Sequence, residues 1–272
     1  MPSPITPSST SSSVPCVVLC DLDGVVWLAR HPIPGSVEAI AALRAAGHRV
    51  VFVTNNSYPP VEDSEDALEW MGIPARGDVL TSAQAAAQLL DPGESAYVCG
   101  GPGIVQALTA RGVEVRDDGP VDAVVVGFHR EFDYDGLARA SAKIRAGARL
   151  IATNDDATYP TPDGPIPGGG SILAAVATAS GATPLIAGKP YAPMGDLVAA
   201  VVGRRAALDA VMVGDRPDTD GRFARAIGCR FALVYTGVTK TGEVVDPVPD
   251  MAVADLAEVA AVLAVERTAA TR

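Results

Sequence analysis

Lysine is almost absent from this 272-residue chain, with Lys143, Lys189 and Lys240 its only three. Lys and Arg together number 21 against 32 Asp and Glu, a formal net charge of −11. An acidic surface of this kind repels phosphate polymers and anionic lipid, so neither a nucleic acid nor a membrane is expected as partner. Any small anionic substrate must be drawn in by a local cation, either a metal or one placed lysine. Histidine and cysteine are scarce too. His31, His48 and His129 lie far apart, and Cys16, Cys20, Cys99 and Cys229 form no CxxC pair. That excludes a zinc centre and a disulfide framework, and leaves the cysteines as buried thiols in strands. No apolar run reaches the ~18 residues of a membrane span. Residues 1–14 lack the basic and apolar segments of a secretion signal, so they read as a flexible tail and the expected compartment is the cytoplasm. A homodimer is neither required nor excluded.

What is present is a folded composition: 48% hydrophobic and 19% charged residues, long enough at ~150 residues per domain for two domains. Short apolar runs alternate with helical stretches. Cys16–Cys20 and Arg49–Val53 are continuous apolar strands of the type covered on both faces. The helix opened by Pro34 and Ser36 carries Val37, Ile40 and Leu43 on one face, and Gly47 stops it. Further strands are predicted at Val79–Thr81, Tyr97–Cys99, Val121–Val126, Arg149–Ala152, Pro184–Ala187, Ala210–Val213 and Arg230–Tyr235. Helices between them include Ser82–Leu90, Gly136–Ala146, Ser171–Ser180, Gly195–Val202, Gly221–Ile227 and Ala254–Val265. Tyr159–Gly170 is predicted as a Pro/Gly-rich loop. The alternation implies an α/β fold with a doubly wound parallel sheet.

Four polar clusters follow predicted strands, which is where sites form in open parallel sheets. Asp21-Leu-Asp23-Gly-Val-Val pairs two carboxylates, one able to attack phosphorus and the other to pass a proton. Thr54-Asn55-Asn56-Ser57 offers a hydroxyl and amides to phosphoryl oxygens. Gly188-Lys189-Pro190 supplies one of the rare lysines. Gly214-Asp215-Arg-Pro-Asp-Thr-Asp220 gives carboxylates suited to a hard cation such as Mg²⁺. Four such clusters are expected to converge on one edge of one sheet. Other motifs fail: Thr183 and Pro190 break a P-loop, and Gln106 breaks a dinucleotide fingerprint at Gly101. Gly168–Gly170 precedes a helix and could cradle an anion, although such runs more often form only a loop. Trp27 and Trp70 are read as packing residues.

In this order the clusters resemble the motifs of the haloacid dehalogenase (HAD) superfamily, and DLDGVVW, TNNS, GKP and GDRPDTD resemble its NagD / 4-nitrophenylphosphatase subgroup (subfamily IIA). Ile151–Asn154 and Tyr159–Gly164 extend the likeness. The resemblance implies a HAD-like, Rossmann-like core from 15–92 and 184–272, with an inserted α/β cap at 93–183. It implies Asp21 as nucleophile, Asp23 as general acid/base with its carbonyl on Mg²⁺, and Thr54 with the Asn55 backbone on the phosphoryl group, beside Asn56. Lys189 would bridge nucleophile and phosphate, Asp215 would be a further metal ligand, and Asp220 would orient the site. Asp156 and Tyr159 are the cap residues expected to touch substrate. Two departures bear on substrate choice: Tyr58-Pro-Pro after TNNS, and Gly221 after Asp220. The implied activity is Mg²⁺-dependent hydrolysis of a small phosphorylated metabolite, such as glycerol phosphate, phosphoglycolate or 4-nitrophenyl phosphate. Nucleotide monophosphates and pyridoxal phosphate are the alternatives. A dehalogenase would not need Asp23 or the Gly214–Asp220 cluster, and a non-catalytic binding protein on the same fold would be expected to have lost at least one of Asp21, Asp23, Lys189 and Asp215, all of which are present.

Overall fold

The computed structural model describes residues 17–161 and 163–270. The expected tail at 1–14 and Cys16 lie outside the described residues. Two parallel sheets organise the chain. The first has six strands in the order Met251–Val253, Arg230–Val234, Val211–Gly214, Val17–Cys20, Arg49–Thr54, Val79–Thr81. The second has five, in the order Leu185–Ile186, Arg149–Ala152, Ala123–Val126, Ser95–Cys99, Glu114–Val115.

The apolar runs form central strands because both faces are covered. Along Val17–Cys20 every residue is buried, and alternate residues enter different apolar clusters. Val17 and Leu19 join Val51, Val53 and Met212 on one face, while Val18 and Cys20 join Val50, Phe52 and Val213 on the other. The first cluster does not end at the sheet. It continues through the alanine-rich helix Ser82–Ala87 and the helix Pro102–Ala110 to Ala96, Ala123, Val125 and Ile151 of the second sheet. A third cluster, built on Tyr97, Val124, Leu150 and Val176, covers the second sheet's far face. The two sheets therefore share one apolar layer.

Several expectations need correction. The strand at Leu185–Ile186 pairs in parallel with Arg149–Ala152, so it belongs to the second sheet. Lys189 consequently arrives from the second sheet, and the four clusters do not end strands of a single sheet. The Tyr159–Gly170 loop contains a short antiparallel pairing, Thr158–Tyr159 with Ile166–Pro167. A π-helical turn, Pro217–Gly221, precedes the helix Arg222–Ile227. The helix Arg204–Leu208 and the hairpin Trp27–Leu28/His31–Pro32 were not anticipated. Trp27 packs as expected, 3% exposed, but Trp70 is 84% exposed. The helix Val61–Trp70 buries Ser64, Glu65 and Leu68, and a residue two positions past Leu68 points to the opposite side. Cys20, Cys99 and Cys229 are buried thiols. Among the described residues no helix is long and apolar enough to cross a membrane.

Close approach between the halves depends on Gly103. Its amide donates to the Tyr58 carbonyl at 2.9 Å, and a Cβ there would lie 2.1 Å from the Pro59 carbonyl oxygen. Overpacking of this kind typically costs about 1–3 kcal/mol. Gly103→Ala is expected to lower the thermal midpoint by several degrees, read by calorimetry, whereas Gly77→Ala, whose added Cβ meets open space, tests only the cost of a positive φ.

Candidate active site

The carboxyl ends of Val17–Cys20, Arg49–Thr54 and Val211–Gly214 deliver Asp21, Thr54–Asn56 and Asp215 to one cavity of about 60 Å³. Asp21 is fixed by its amide, which donates to the Val213 carbonyl at 2.9 Å. Lys189 enters from the opposite side and is 1% exposed. Its Nζ lies 2.9 Å from Asp21 Oδ1 and donates to Asp220 Oδ1 at 2.7 Å. Asn55 holds that lysine in place through its side chain. The carboxamide oxygen accepts from the Lys189 amide at 2.8 Å, and Nδ2 donates to the Lys189 carbonyl at 3.0 Å.

Asp21, Asp215 and Asp220 are buried, and each offers an oxygen within 4.8 Å of the other two. Burial would discharge Lys189, but Asp21 and Asp220 outweigh it and keep the ammonium charged well above the ordinary lysine range. Burial also pushes Asp21 upward against the pull of Lys189. It lifts Asp220 to about 6, again opposed by Lys189. Among the described residues no cation forms an ion pair with Asp215. Burial and the neighbouring Asp220 and Asp21 charges raise it to about 8.

This donor set fits a hard divalent cation. The carboxylates outnumber the ammonium three to one, and a cation would cancel the excess. Asp215 Oδ2 accepts from the Val238 amide at 2.6 Å, while the buried Oδ1 has no hydrogen-bond partner among the described residues. Both Asp220 oxygens are engaged instead, by Lys189 and by the Arg216 amide at 3.2 Å. Asp215 is therefore the better ligand and Asp220 the better anchor for Lys189. Glycine makes the room: a Cβ at Gly24, whose φ is +90°, would lie 2.5 Å from Asp215 Oδ2, and one at Gly237 only 1.9 Å from it.

Asp23 is half-buried at the cavity wall, and burial raises its carboxyl to about 6 despite hydrogen bonds from Tyr159 and Trp27. Tyr159 donates its hydroxyl to Asp23 Oδ1 at 3.4 Å. Asp156 accepts from Asn55 Nδ2 at 3.0 Å and lies 3.5 Å from the Thr219 hydroxyl. Tyr159 thus meets Asp23, and Asp156 meets Asn55 and Thr219, all of them on the cavity wall. Thr54 Oγ1 accepts from the Asn56 amide at 3.0 Å, and Asn56 Oδ1 accepts from the Tyr58 amide at 3.1 Å, so this turn is preorganised.

Gly168 and Gly169 line the cavity, yet Gly170 donates its amide to the Asp156 carbonyl and Gly168 donates to Ala157. A Cβ on Gly168 or Gly170 would meet the Asp156 or Asp155 carbonyl oxygen at 2.4 or 2.2 Å, so the run permits close packing of the Asp155–Thr158 segment. Sequence reasoning assigned no role to Asn154, Phe128, Arg216, Thr219 or Val238, which also line the cavity. Asn154 was accessible by the strand-end logic used for Thr54, since it follows Arg149–Ala152 and donates to the Asn55 carbonyl at 2.8 Å. Phe128 stacks on Tyr159 at 5.5 Å, a contact no spacing announces.

Residues 18–114 match the haloacid dehalogenase-like hydrolase family, and residues 186–259 match the HAD-hydrolase-like family. The chain is 36% identical over 230 residues to an acid sugar phosphatase of Staphylococcus saprophyticus, covering 83% of this chain and 88% of that protein. This chain is a member of the HAD superfamily, in its NagD-like branch. It is also 40% identical over 236 residues to a D-glycerol 3-phosphate phosphatase of Mycobacterium tuberculosis, covering 84% of this chain and 65% of that longer protein. Among solved structures, a p-nitrophenyl phosphatase from Archaeoglobus fulgidus superposes with a TM-score of 0.84 at 28% identity, over 90% of this chain and 98% of that one. The M. tuberculosis glycerol phosphate phosphatase in complex with magnesium superposes at 0.78 and 36% identity, over 89% and 74%.

In the metal-free HAD-fold protein Asp215 rises from an ordinary 3.8 to about 8, so the folded state binds the extra proton. Its contribution to stability is whole below the ordinary value, declines as pH rises between the two, and is gone above about 8. Asp215→Asn removes this loss. In chelator, its melting temperature minus that of the wild type is expected to grow from pH 4.5 to 8; a constant difference contradicts the burial argument.

Proposed function

We propose that this chain hydrolyses small phosphate monoesters in two steps through an aspartyl-phosphate on Asp21, with Mg²⁺ as cofactor. The observation that supports it best is the pairing of a lysine-bridged carboxylate with a second carboxyl, two residues on, whose proton is available near neutral pH.

In the first step an Asp21 oxygen attacks phosphorus, the bond to the ester oxygen breaks, and Asp23 gives that oxygen its proton. In the second, Asp23 takes a proton from a water that attacks the phosphorus of the aspartyl-phosphate. The Asp21–phosphoryl bond breaks, releasing phosphate and restoring the carboxylate. Lys189 and the turn Thr54–Asn56 face the charge that gathers on the transferring phosphoryl group. Asp21, Asp215 and the Asp23 carbonyl would hold Mg²⁺, which when bound supplies positive charge against the repulsion between carboxylate and phosphate.

We assign the chemistry to a core of residues 15–92 with the later part of 184–272, and the choice of leaving group to a cap at 93–183. The pairing of Leu185–Ile186 with Ile151–Ala152 supports extending that cap past Ile186. Tyr159 and Asp156 couple the two, because each hydrogen-bonds to a residue of the core. The substrate is a small phosphorylated metabolite, and the enzyme is assigned to the cytoplasm.

Asp21→Asn keeps shape and removes the attacking charge, so turnover is expected to fall to background. Asp23→Asn should lose ~10²–10⁴-fold on an alkyl phosphate and much less on 4-nitrophenyl phosphate, whose leaving group needs little protonation. Steady-state rates on both esters check this; equal losses on the two would remove the proton-donor role. Tyr159→Phe takes away a hydroxyl that favours the ionised Asp23, and is expected to change kcat on the alkyl ester more than on the aryl ester.

A further inference from the structure

The hairpin after Asp23 holds a feature that the catalytic assignment leaves unused. Its strands, Trp27–Leu28 and His31–Pro32, are joined by Ala29 and Arg30 alone. Both joining residues are left-handed, with φ of 49° and 66°, and they are the only non-glycine residues with positive φ among those described. Two-residue turns of this hand favour Asn-Gly or Gly-Gly, because a side chain crowds the backbone there. A strained arginine in place of glycine calls for a role in the side chain.

Arg30 lines a recess of about 20 Å³ together with Asp23, Thr54, Asn56, Ser64 and Tyr159. Four of those residues, Asp23, Thr54, Asn56 and Tyr159, also line the catalytic cavity, so the two spaces adjoin at the proton donor. Arg30 makes no ion pair or hydrogen bond among the described residues, while Lys189 is held by Asp21 and Asp220. Arg216 lies 3.9 Å from Asp218 and also feels Asp156. Arg30 is thus the cation at this site that no carboxylate meets at ion-pairing distance. Its charge already reaches the centre, where it favours the ionised forms of Asp23 and Tyr159.

We propose that Arg30 is a specificity-determining residue that receives a carboxylate carried by the leaving group, so that phosphate esters of small hydroxy acids are preferred over esters of neutral alcohols. The inference rests on the phosphatase assignment above. The ester oxygen must lie beside Asp23 to be protonated, and Asp23 forms the wall shared with the Arg30 recess. The rest of a short leaving group then extends toward the guanidinium. The recess is small, about 20 Å³, and walled by polar side chains, which suits the carboxylate of a short leaving group. A guanidinium matches a carboxylate through paired N–H donors. On a chain of net charge −11 such a tail needs a local cation of its own.

The test compares kcat/KM for 2-phosphoglycolate, glycerol 3-phosphate and 4-nitrophenyl phosphate in wild type, Arg30→Gly and Arg30→Lys. Glycine suits the left-handed turn, so Arg30→Gly should melt at or above the wild-type temperature and report on charge, not on folding. The ratio of phosphoglycolate to glycerol 3-phosphate is expected to fall at least tenfold in Arg30→Gly, chiefly through KM, and less in Arg30→Lys. Added salt should lower the ratio in the wild type and leave it flat in Arg30→Gly. An unchanged ratio in Arg30→Gly, with hydrolysis intact, overturns the assignment of Arg30 alone. Failure of the wild type on all three esters overturns the phosphatase assignment beneath it.

Discussion

The ammonium of Lys189, buried between Asp21 and Asp220 with Asp215 close by, is the interaction on which the rest of the structure depends. Removed from water, Lys189, Asp21 and Asp220 would be unfavourable singly, and each is tolerated because an opposite charge faces it, which leaves Asp215 as the uncompensated member. The lysine comes from the end of a second-sheet strand, while all three carboxylates follow strands of the first sheet. The centre therefore exists only when the two sheets are docked. The Asn55 side chain closes the connection by bonding both the amide and the carbonyl of Lys189.

That docking is apolar before it is polar. One cluster runs from Leu19 and Val53 through Ala83, Ala86 and Ile104 to Val125 and Ile151, and small residues let the layers approach. Alanine fills most of Ser82–Ala87, and glycine stands where backbone meets backbone at Gly103 and where backbone meets the Asp215 carboxylate at Gly24 and Gly237. At these positions small residues are a packing requirement. A consequence is that the two halves are linked at the cavity itself: Tyr159 hydrogen-bonds to Asp23, and Asp156 to Asn55, whose side chain also holds the Lys189 backbone.

Much of this was legible in the sequence. Strands buried on both faces appear as uninterrupted apolar runs, so the residues after Cys20, Val53 and Val213 could be placed at strand ends from the pattern alone. Leu185–Ile186 was misplaced because two residues carry no register, and its partner is chosen by tertiary packing. Trp70 was misread because its apolar ring suggested burial, whereas the helix phase set by Leu68 sends it outward. The π turn at Pro217–Gly221, the stacking of Phe128 on Tyr159 and the left-handed backbone at Arg30 depend on three-dimensional neighbours that no local pattern encodes. Asn154 is different, since the rule that found Thr54 would have found it too.

The central claim is that a buried excess of carboxylate charge, focused on Asp215, is what binds the divalent cation. Titration calorimetry with Mg²⁺ at pH 7, in buffers of different ionisation enthalpy and without substrate, tests it most directly. Because Asp215 is raised to about 8, it holds a proton at that pH, and ligation must release it. The account predicts one Mg²⁺ bound per chain with proton release in the wild type, and loss of both binding and proton release in Asp215→Asn. Equal binding by the two proteins, or binding without proton release, would contradict it.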